Sequence, residues 1–313
     1  MSLTVGLDIG GTKLAGAVVD EEGNVLARAR RETPASATSD IVSAAADLVD
    51  ELAGDHDVVG VGVACAGFID RSGTTVMFAP NLPWRDEPLK AKLEDLTRLP
   101  VQLLNDANAA AWGEFVHGSA ADVDHMVFLT IGTGVGGGIV ENGRLLRGAF
   151  GVAAELGHIR MVPGGRLCGC GVHGCLEQYA SGTALVRAAR ELVASGDQRG
   201  EGLAARCSGD PRSLTGPDVT KAAQEGDIGA LSLIAELGRW IGEGAASIGS
   251  VLDPEVIVIG GGVASAGALL LDPAAEAYEE YVTGRGYRPY ASWRLASLGN
   301  EAGMIGAAAQ VRP

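Results

Sequence analysis

The sequence is short of cysteine, of aromatic side chains and of positive charge. It has five cysteines in 313 residues, and three of them fall inside the eight-residue stretch CGCGVHGC at 168–175. That is too few, and too crowded, for a disulfide framework. Cys168 and Cys170 are too close for an easy bridge, and Cys65 and Cys207 lie far away in sequence. No signal-peptide pattern opens the chain, where Met1 and Ser2 run straight into LTVGLDIGGTK. A cytoplasmic location is therefore expected, and there clustered cysteines more often hold metal than form bridges. With 24 Lys and Arg against 39 Asp and Glu, the formal charge is −15. Unassisted binding to nucleic acid or to an anionic membrane needs a basic face, so neither partner is expected. Apolar runs are broken by Gly or by charge before they reach spanning length, which predicts a soluble protein. Gly-Lys never occurs, which excludes a Walker A phosphate loop.

Glycine, by contrast, is abundant: 47 residues, gathered in clusters between apolar runs. Such clusters mark turns. LTVGLDIG predicts a strand, GGT a turn and KLAGAVVD a second strand; EEGN turns again and VLARARRET starts a third. The same order returns in HMVFLTIG, TGVGG, GIV, ENGR and LLRGAF, as in a diverged internal duplication. Helical patterns follow each copy, DIVSAAADLVDELAG after the first and ALVRAARELVASG well after the second. Apolar strands such as DVVGVGVACAG and EVIVIGGG alternate with them, which argues for α/β layering. Small and polar residues near Trp112–Asp124 predict a linker. The expected lobes are then 1–115 and 116–300, with a C-terminal helix over about 301–313 returning to the first and a cleft between them.

GTGVGG at 132–137 matches the G-x-G-x-x-G pattern, yet a dinucleotide loop must open a helix. Here GGIVENGRLL continues as strand, with a hairpin turn at Asn142-Gly143. What remains is a hairpin whose backbone N–H groups, around Thr133 and Gly134, form an anion nest. DIGGTK offers a second nest at Gly10 and Gly11, with Asp8 placed for a hydrated Mg²⁺ and Thr12 or Lys13 near phosphate. Either loop alone reads equally as a plain tight turn. Two at equivalent places in two halves argue for phosphate. A third run, Gly260–Gly262, ends the strand EVIVI, and the missing side chains at Gly261 and Gly262 would let a flat purine approach the backbone. In LPVQLLNDANAAAWGE, VQLL reads as strand and AAAWGEF as helix. Asn105 and Asp106 thus stand at a strand's carboxyl end, where open α/β sheets place ligands, although Asp106 fits a helix cap as well. Asn81 in APNLPW fits a turn before Pro83.

These segments carry a resemblance. DIGGTK, GTGVGGGIV and VIGGGV resemble the phosphate 1, phosphate 2 and adenosine segments of the actin, hexokinase and Hsp70 ATPase superfamily. ELGHI followed by CGCGVHGCLE is similar to the signature of the ROK family of repressors, open reading frames and kinases. Its fixed positions are all present, at Glu155, Gly157, His158, Cys168, Cys170, Gly171, Gly174, Cys175 and Glu177. The resemblance implies a duplicated, two-lobed actin-like ATPase (ribonuclease H-like) α/β fold with a central cleft and a zinc-binding loop. It implies a closed, structural Zn²⁺ site on Cys168, Cys170, Cys175 and His158, with His173 the competing fourth ligand. It also implies ATP and Mg²⁺, and Asp106 as the base that takes the proton of the attacking sugar hydroxyl. Asn81, Asn105, Glu155, His158 and Glu177 would hold the other hydroxyls. Glucose is the sugar expected, with N-acetylmannosamine, N-acetylglucosamine, fructose and allose as alternatives. A sugar-sensing regulator is a further reading. A homodimer or homotetramer is the expected assembly.

Overall fold

In the computed structural model, which describes residues 2–34, 37–54 and 56–312, the strand–turn–strand pattern at the N-terminus folds as an antiparallel hairpin. Strand β1 (Leu3–Ile9) pairs with β2 (Lys13–Val19), Ile9 opposite Leu14, and β3 (Val25–Glu32) adds to β2 as an edge strand. Strand β4 (Val58–Cys65) then runs parallel to β1. A small antiparallel sheet of β5 (Phe68–Ile69), β6 (Val76–Phe78) and β7 (Arg85–Glu87) intervenes. The chain rejoins the main sheet at β8 (Val101–Asn105), giving the order β3-β2-β1-β4-β8.

Period-two alternation sends successive side chains to opposite faces of this sheet. Leu7, Ile9, Val63 and Leu103 pack with Ile41 and Leu48 of α1 (Thr38–Ala53) and with Leu89 and Leu93 of α2 (Leu89–Thr97). The other residues, Ala17, Val19, Ala64 and Leu104, meet α3 (Asp106–Val116) and the C-terminal helix Ala302–Gln310 through Ala109, Met304, Ile305 and Ala307. The helix approaches so closely that a methyl group at Gly62 would overlap the Ala307 carbonyl. Small residues on both sides permit that contact.

The chain divides into two compact units, 1–124 with 138–154 and 297–313, and 125–137 with 155–296. In the stretch near Trp112–Asp124, where a linker is expected, α3 continues to Val116 and the chain stays in the first unit to Asp124. Glu114 ties this stretch to the C-terminal segment. It is fully buried, and its carboxylate accepts bonds from the N–H and hydroxyl of Ser119, the N–H and hydroxyl of Ser297 and the N–H of Leu298.

The second sheet repeats the opening of the first. Its order is β11-β10-β9-β12-β13, from β9 (Met126–Ile131), β10 (Val135–Glu141), β11 (Arg144–Leu145), β12 (Val256–Gly260) and β13 (Ser292–Leu295), with β12 parallel to both β9 and β13. Asn142 and Gly143 both take positive φ, 50° and 69°, the two-residue turn expected between β10 and β11. The third strand anticipated across LLRGAF is reduced to Arg144–Leu145. Between β11 and β12 come α4 (Glu177–Ala180), α5 (Gly182–Ala194), α6 (Glu201–Arg206), α7 (Gly216–Gln224) and α8 (Ile228–Leu252), and α9 (Ala268–Tyr281) follows β12. Among the described residues no helix is long and apolar enough to cross a membrane.

Candidate active site and metal cluster

The junction between β8 and α3 sorts two adjacent polar residues into different roles. Asn105, not Asp106, caps the helix: its side-chain oxygen accepts the N–H groups of Ala107 and Asn108 at 3.0 and 3.1 Å. Its amide donates to the Gly67 carbonyl at 3.2 Å and to Asp106 Oδ1 at 3.0 Å. Both donors of Asn105 are thus engaged, and a sugar hydroxyl accepting from it would displace one of them. Asp106 also accepts the Ala107 N–H on Oδ1, at 2.9 Å. The bonds from Asn105 and Ala107 therefore both fall on Oδ1. The side chain reaches solvent but is surrounded by protein. That burial pushes its pKa up against the opposing pull of the bonds from Ala107 and Asn105.

Asp8, near the end of β1, has its pKa raised by burial first and by the Asp106 carboxylate second, while Lys13 pulls it down. A buried carboxylate with a second carboxylate charge nearby makes a region a divalent cation would relieve. The glycine turn after Asp8 is closed by a bond from Gly10 N–H to the Lys13 carbonyl at 3.0 Å and tied to Thr33, whose hydroxyl donates to the Gly10 carbonyl at 2.7 Å. A methyl group at Gly11 would stand 2.7 Å from the backbone oxygen of Asn81. The first glycine turn and Asn81 are therefore in contact, and Gly11 can carry no side chain there.

In the second unit a cavity of about 1560 Å³ is lined by Gly132 and Thr133 of the second glycine turn and by Gly262 and Val263 after β12. Small-molecule sites commonly occupy about 300–1,000 Å³, so a nucleoside triphosphate fits within this one. Thr133 and Gly262 thus line one cavity. Gly261 is different: its φ is +82° and a methyl group there would stand 2.5 Å from the Ile131 carbonyl, so its small size serves the neighbouring strand. The cavity also has a largely cationic wall that sequence reasoning missed, made of Arg187 and Arg190 on α5, Arg212, and Lys221 on α7, set beside the acids Glu191 and Asp210, the latter paired with Arg212 at 3.0 Å. Arg190 bonds the carbonyls of Arg212 and Leu214 at 2.8 and 2.9 Å, fixing that wall. The only local signal was the Arg187/Arg190 spacing on one helix face.

The cysteine cluster is a set of interlocked turns. Gly171 N–H bonds the Cys168 carbonyl, Cys168 N–H bonds Val172, and Gly174 N–H bonds Arg166, while Leu167 bridges His173 and Arg160 bridges Cys175. A single helical turn, Leu156–His158, presents the histidine. The ligand-type atoms of His158, Cys168, Cys170 and Cys175 all lie within 4.8 Å of one another. His158 Nδ1 is 3.6 Å from Cys168 Sγ, and Cys170 Sγ is 3.6 Å from Cys175 Sγ. A tetrahedron with metal–sulfur bonds of about 2.3 Å has edges of about 3.7 Å, so these two separations match zinc and the whole donor set, within 4.8 Å, is compatible with it. His173 is turned away, its Nδ1 2.9 Å from the Gly165 carbonyl. Among the two imidazoles the cluster contains His158. The other nitrogen of His158, Nε2, stands 3.8 Å from Glu155 Oε2. Glu177 faces both the cluster and the glycine turn: Cys168 Sγ lies 3.5 Å from its Oε1, and Val135 N–H donates to its Oε2 at 3.1 Å.

The model of the ROK family matches residues 4–313. The glucokinase of Streptomyces coelicolor is 48% identical over 308 residues, covering 98% of this chain and 97% of that one. The N-acetylmannosamine kinase of Citrobacter koseri is 39% identical over 263 residues, covering 83% of each. The crystal structure of a ROK family glucokinase from Streptomyces griseus, in complex with glucose and AMPPNP, superposes with a TM-score of 0.88 at 46% identity, covering 99% of both chains. Since this match runs almost end to end, and the signature's three cysteines and histidine meet in space as well as in sequence, the chain belongs to the ROK family.

Proposed function

We propose that the protein phosphorylates glucose to glucose 6-phosphate with ATP as donor. The observation that carries this is the near-complete match to the Streptomyces glucokinases, one of them holding glucose and AMPPNP. The geometry supplies a matching chemical reading. Phosphoryl transfer needs positioned phosphates, neutralised charge and a base at the attacking hydroxyl. Asp106 is the proposed base: Oδ1 is engaged by Asn105 and Ala107, and Oδ2 would take the hydroxyl proton as the sugar oxygen bonds to the γ-phosphorus and the bond from that phosphorus to the bridging oxygen breaks, releasing ADP. Asn81, Asn105, Glu155, His158 and Glu177 are the proposed sugar ligands. His158 would offer its Nε2–H, since Nδ1 faces the thiols. The turns at Gly10–Lys13 and Thr133–Gly134 are the proposed phosphate nests, and the cavity lined by Gly132, Thr133 and Gly262 takes the nucleoside. Mg²⁺ beside Asp8 would offset charge on the donor phosphates, and zinc would be structural, held by His158, Cys168, Cys170 and Cys175.

A hexose panel with ATP and Mg²⁺ tests this reading. Glucose should give the highest kcat/KM, ahead of N-acetylmannosamine, N-acetylglucosamine, fructose and allose. A panel led by N-acetylmannosamine would overturn the choice of sugar while leaving the kinase reading in place.

A further inference from the structure

Val135 is where the second glycine turn passes into β10, and the metal loop grips it from two sides. Its N–H donates to Glu177 Oε2 at 3.1 Å, and Glu177 is two residues beyond Cys175. Its carbonyl lies against Gly157, the residue before His158, where a methyl group would overlap it. A methyl group at Gly134 would likewise overlap the Glu177 carboxylate. The segment after Glu177 holds the rest of the turn: Gly182 N–H donates to the Gly132 carbonyl at 2.8 Å and the Thr183 hydroxyl to the Thr133 carbonyl at 2.6 Å.

This support matters because the turn has little of its own beyond the bond from Gly132 N–H to the Gly134 carbonyl at 3.0 Å. GTGVGG has four glycines in six residues, and glycine loses more backbone freedom on ordering than any other residue. An anion nest works only when its N–H groups converge, and a loose turn would spread them. A carboxylate accepting a backbone N–H makes one of the stronger hydrogen bonds available for the purpose. We propose that Glu177 is a positioning residue for the phosphoryl donor: it couples the Cys₃His cluster to the Gly132–Val135 turn, so that an ordered metal loop sets nucleotide affinity before any sugar binds. The inference rests on the reading of that turn as a phosphate nest, and it gives the metal cluster an effect on the nucleotide as well as on the sugar ligands.

The test is ADP binding by calorimetry, without sugar, to metal-loaded wild-type protein, Glu177→Ala and Glu177→Gln, with metal content measured on each. Loss of a hydrogen bond to a charged acceptor should weaken ADP binding by about tenfold or more in Glu177→Ala. Glu177→Gln should recover most of the affinity, because its amide oxygen still accepts the Val135 N–H. Stripping the metal from wild-type protein should weaken ADP comparably. Unchanged ADP affinity in Glu177→Ala, with only the KM for glucose raised, would make Glu177 a sugar ligand alone and overturn the coupling. So would a Glu177→Gln protein that keeps its metal yet binds ADP no better than Glu177→Ala. Wild-type protein that binds no nucleotide would overturn the kinase reading itself.

Discussion

Replacing Asp106 by Asn should lower kcat by about 10²–10⁴-fold, the range for loss of a positioned general base, while glucose still binds. Asn preserves volume and can still accept the Ala107 N–H that Asp106 accepts at 2.9 Å, so the β8–α3 junction should survive. The cap is unaffected, because Asn105 supplies it. A pH profile gives a second readout with a definite sign. Burial raises the Asp106 pKa, and the base works only as the carboxylate. Activity should therefore fall as pH drops through a limb lying above the ordinary aspartate value of about 3.9. The residual activity of Asp106→Asn should lack that limb. A variant retaining more than about a tenth of wild-type turnover would return Asp106 to a structural role.

The second large effect is on the metal. Protein purified without added zinc should carry one zinc per chain, and Cys168→Ser, Cys170→Ser or Cys175→Ser should lose it, since a hydroxyl is a poor substitute for a thiolate on zinc. Activity should fall with the metal although no cysteine is proposed to touch substrate. Structural zinc supplies folding free energy directly, so the loop around His158 should also become protease-sensitive. Cys65 and Cys207, both buried away from the cluster, serve as controls and should be replaceable without loss of zinc. Stoichiometric zinc in a Cys168/Cys170 double variant would remove the assignment.

Local features of this chain were legible in its sequence because local rules govern them. The hairpin after β1, the turn at Asn142-Gly143 and the strand–helix junction at Asn105-Asp106 each follow from a few neighbouring residues. Even there the sequence could not choose between adjacent candidates. Asp106 reads as a possible cap, whereas the backbone path gives the cap to Asn105. The fold brings His158 within 4.8 Å of the three thiols and engages His173 with the Gly165 carbonyl. Long-range contacts left no local mark. The cationic wall draws on α5, Arg212 and α7, which share no periodicity. The bond from Val135 to Glu177 spans 42 residues, and a lone Glu after a cysteine motif gives no hint of it.

Transfer of the γ-phosphoryl of ATP to glucose, followed by phosphorus NMR with purified wild-type protein and Mg²⁺, tests the central claim most directly. Glucose 6-phosphate should appear in step with ADP, one for one, with little inorganic phosphate formed while glucose remains. ADP released at the same rate with and without glucose, accompanied by inorganic phosphate and no sugar phosphate, would contradict it.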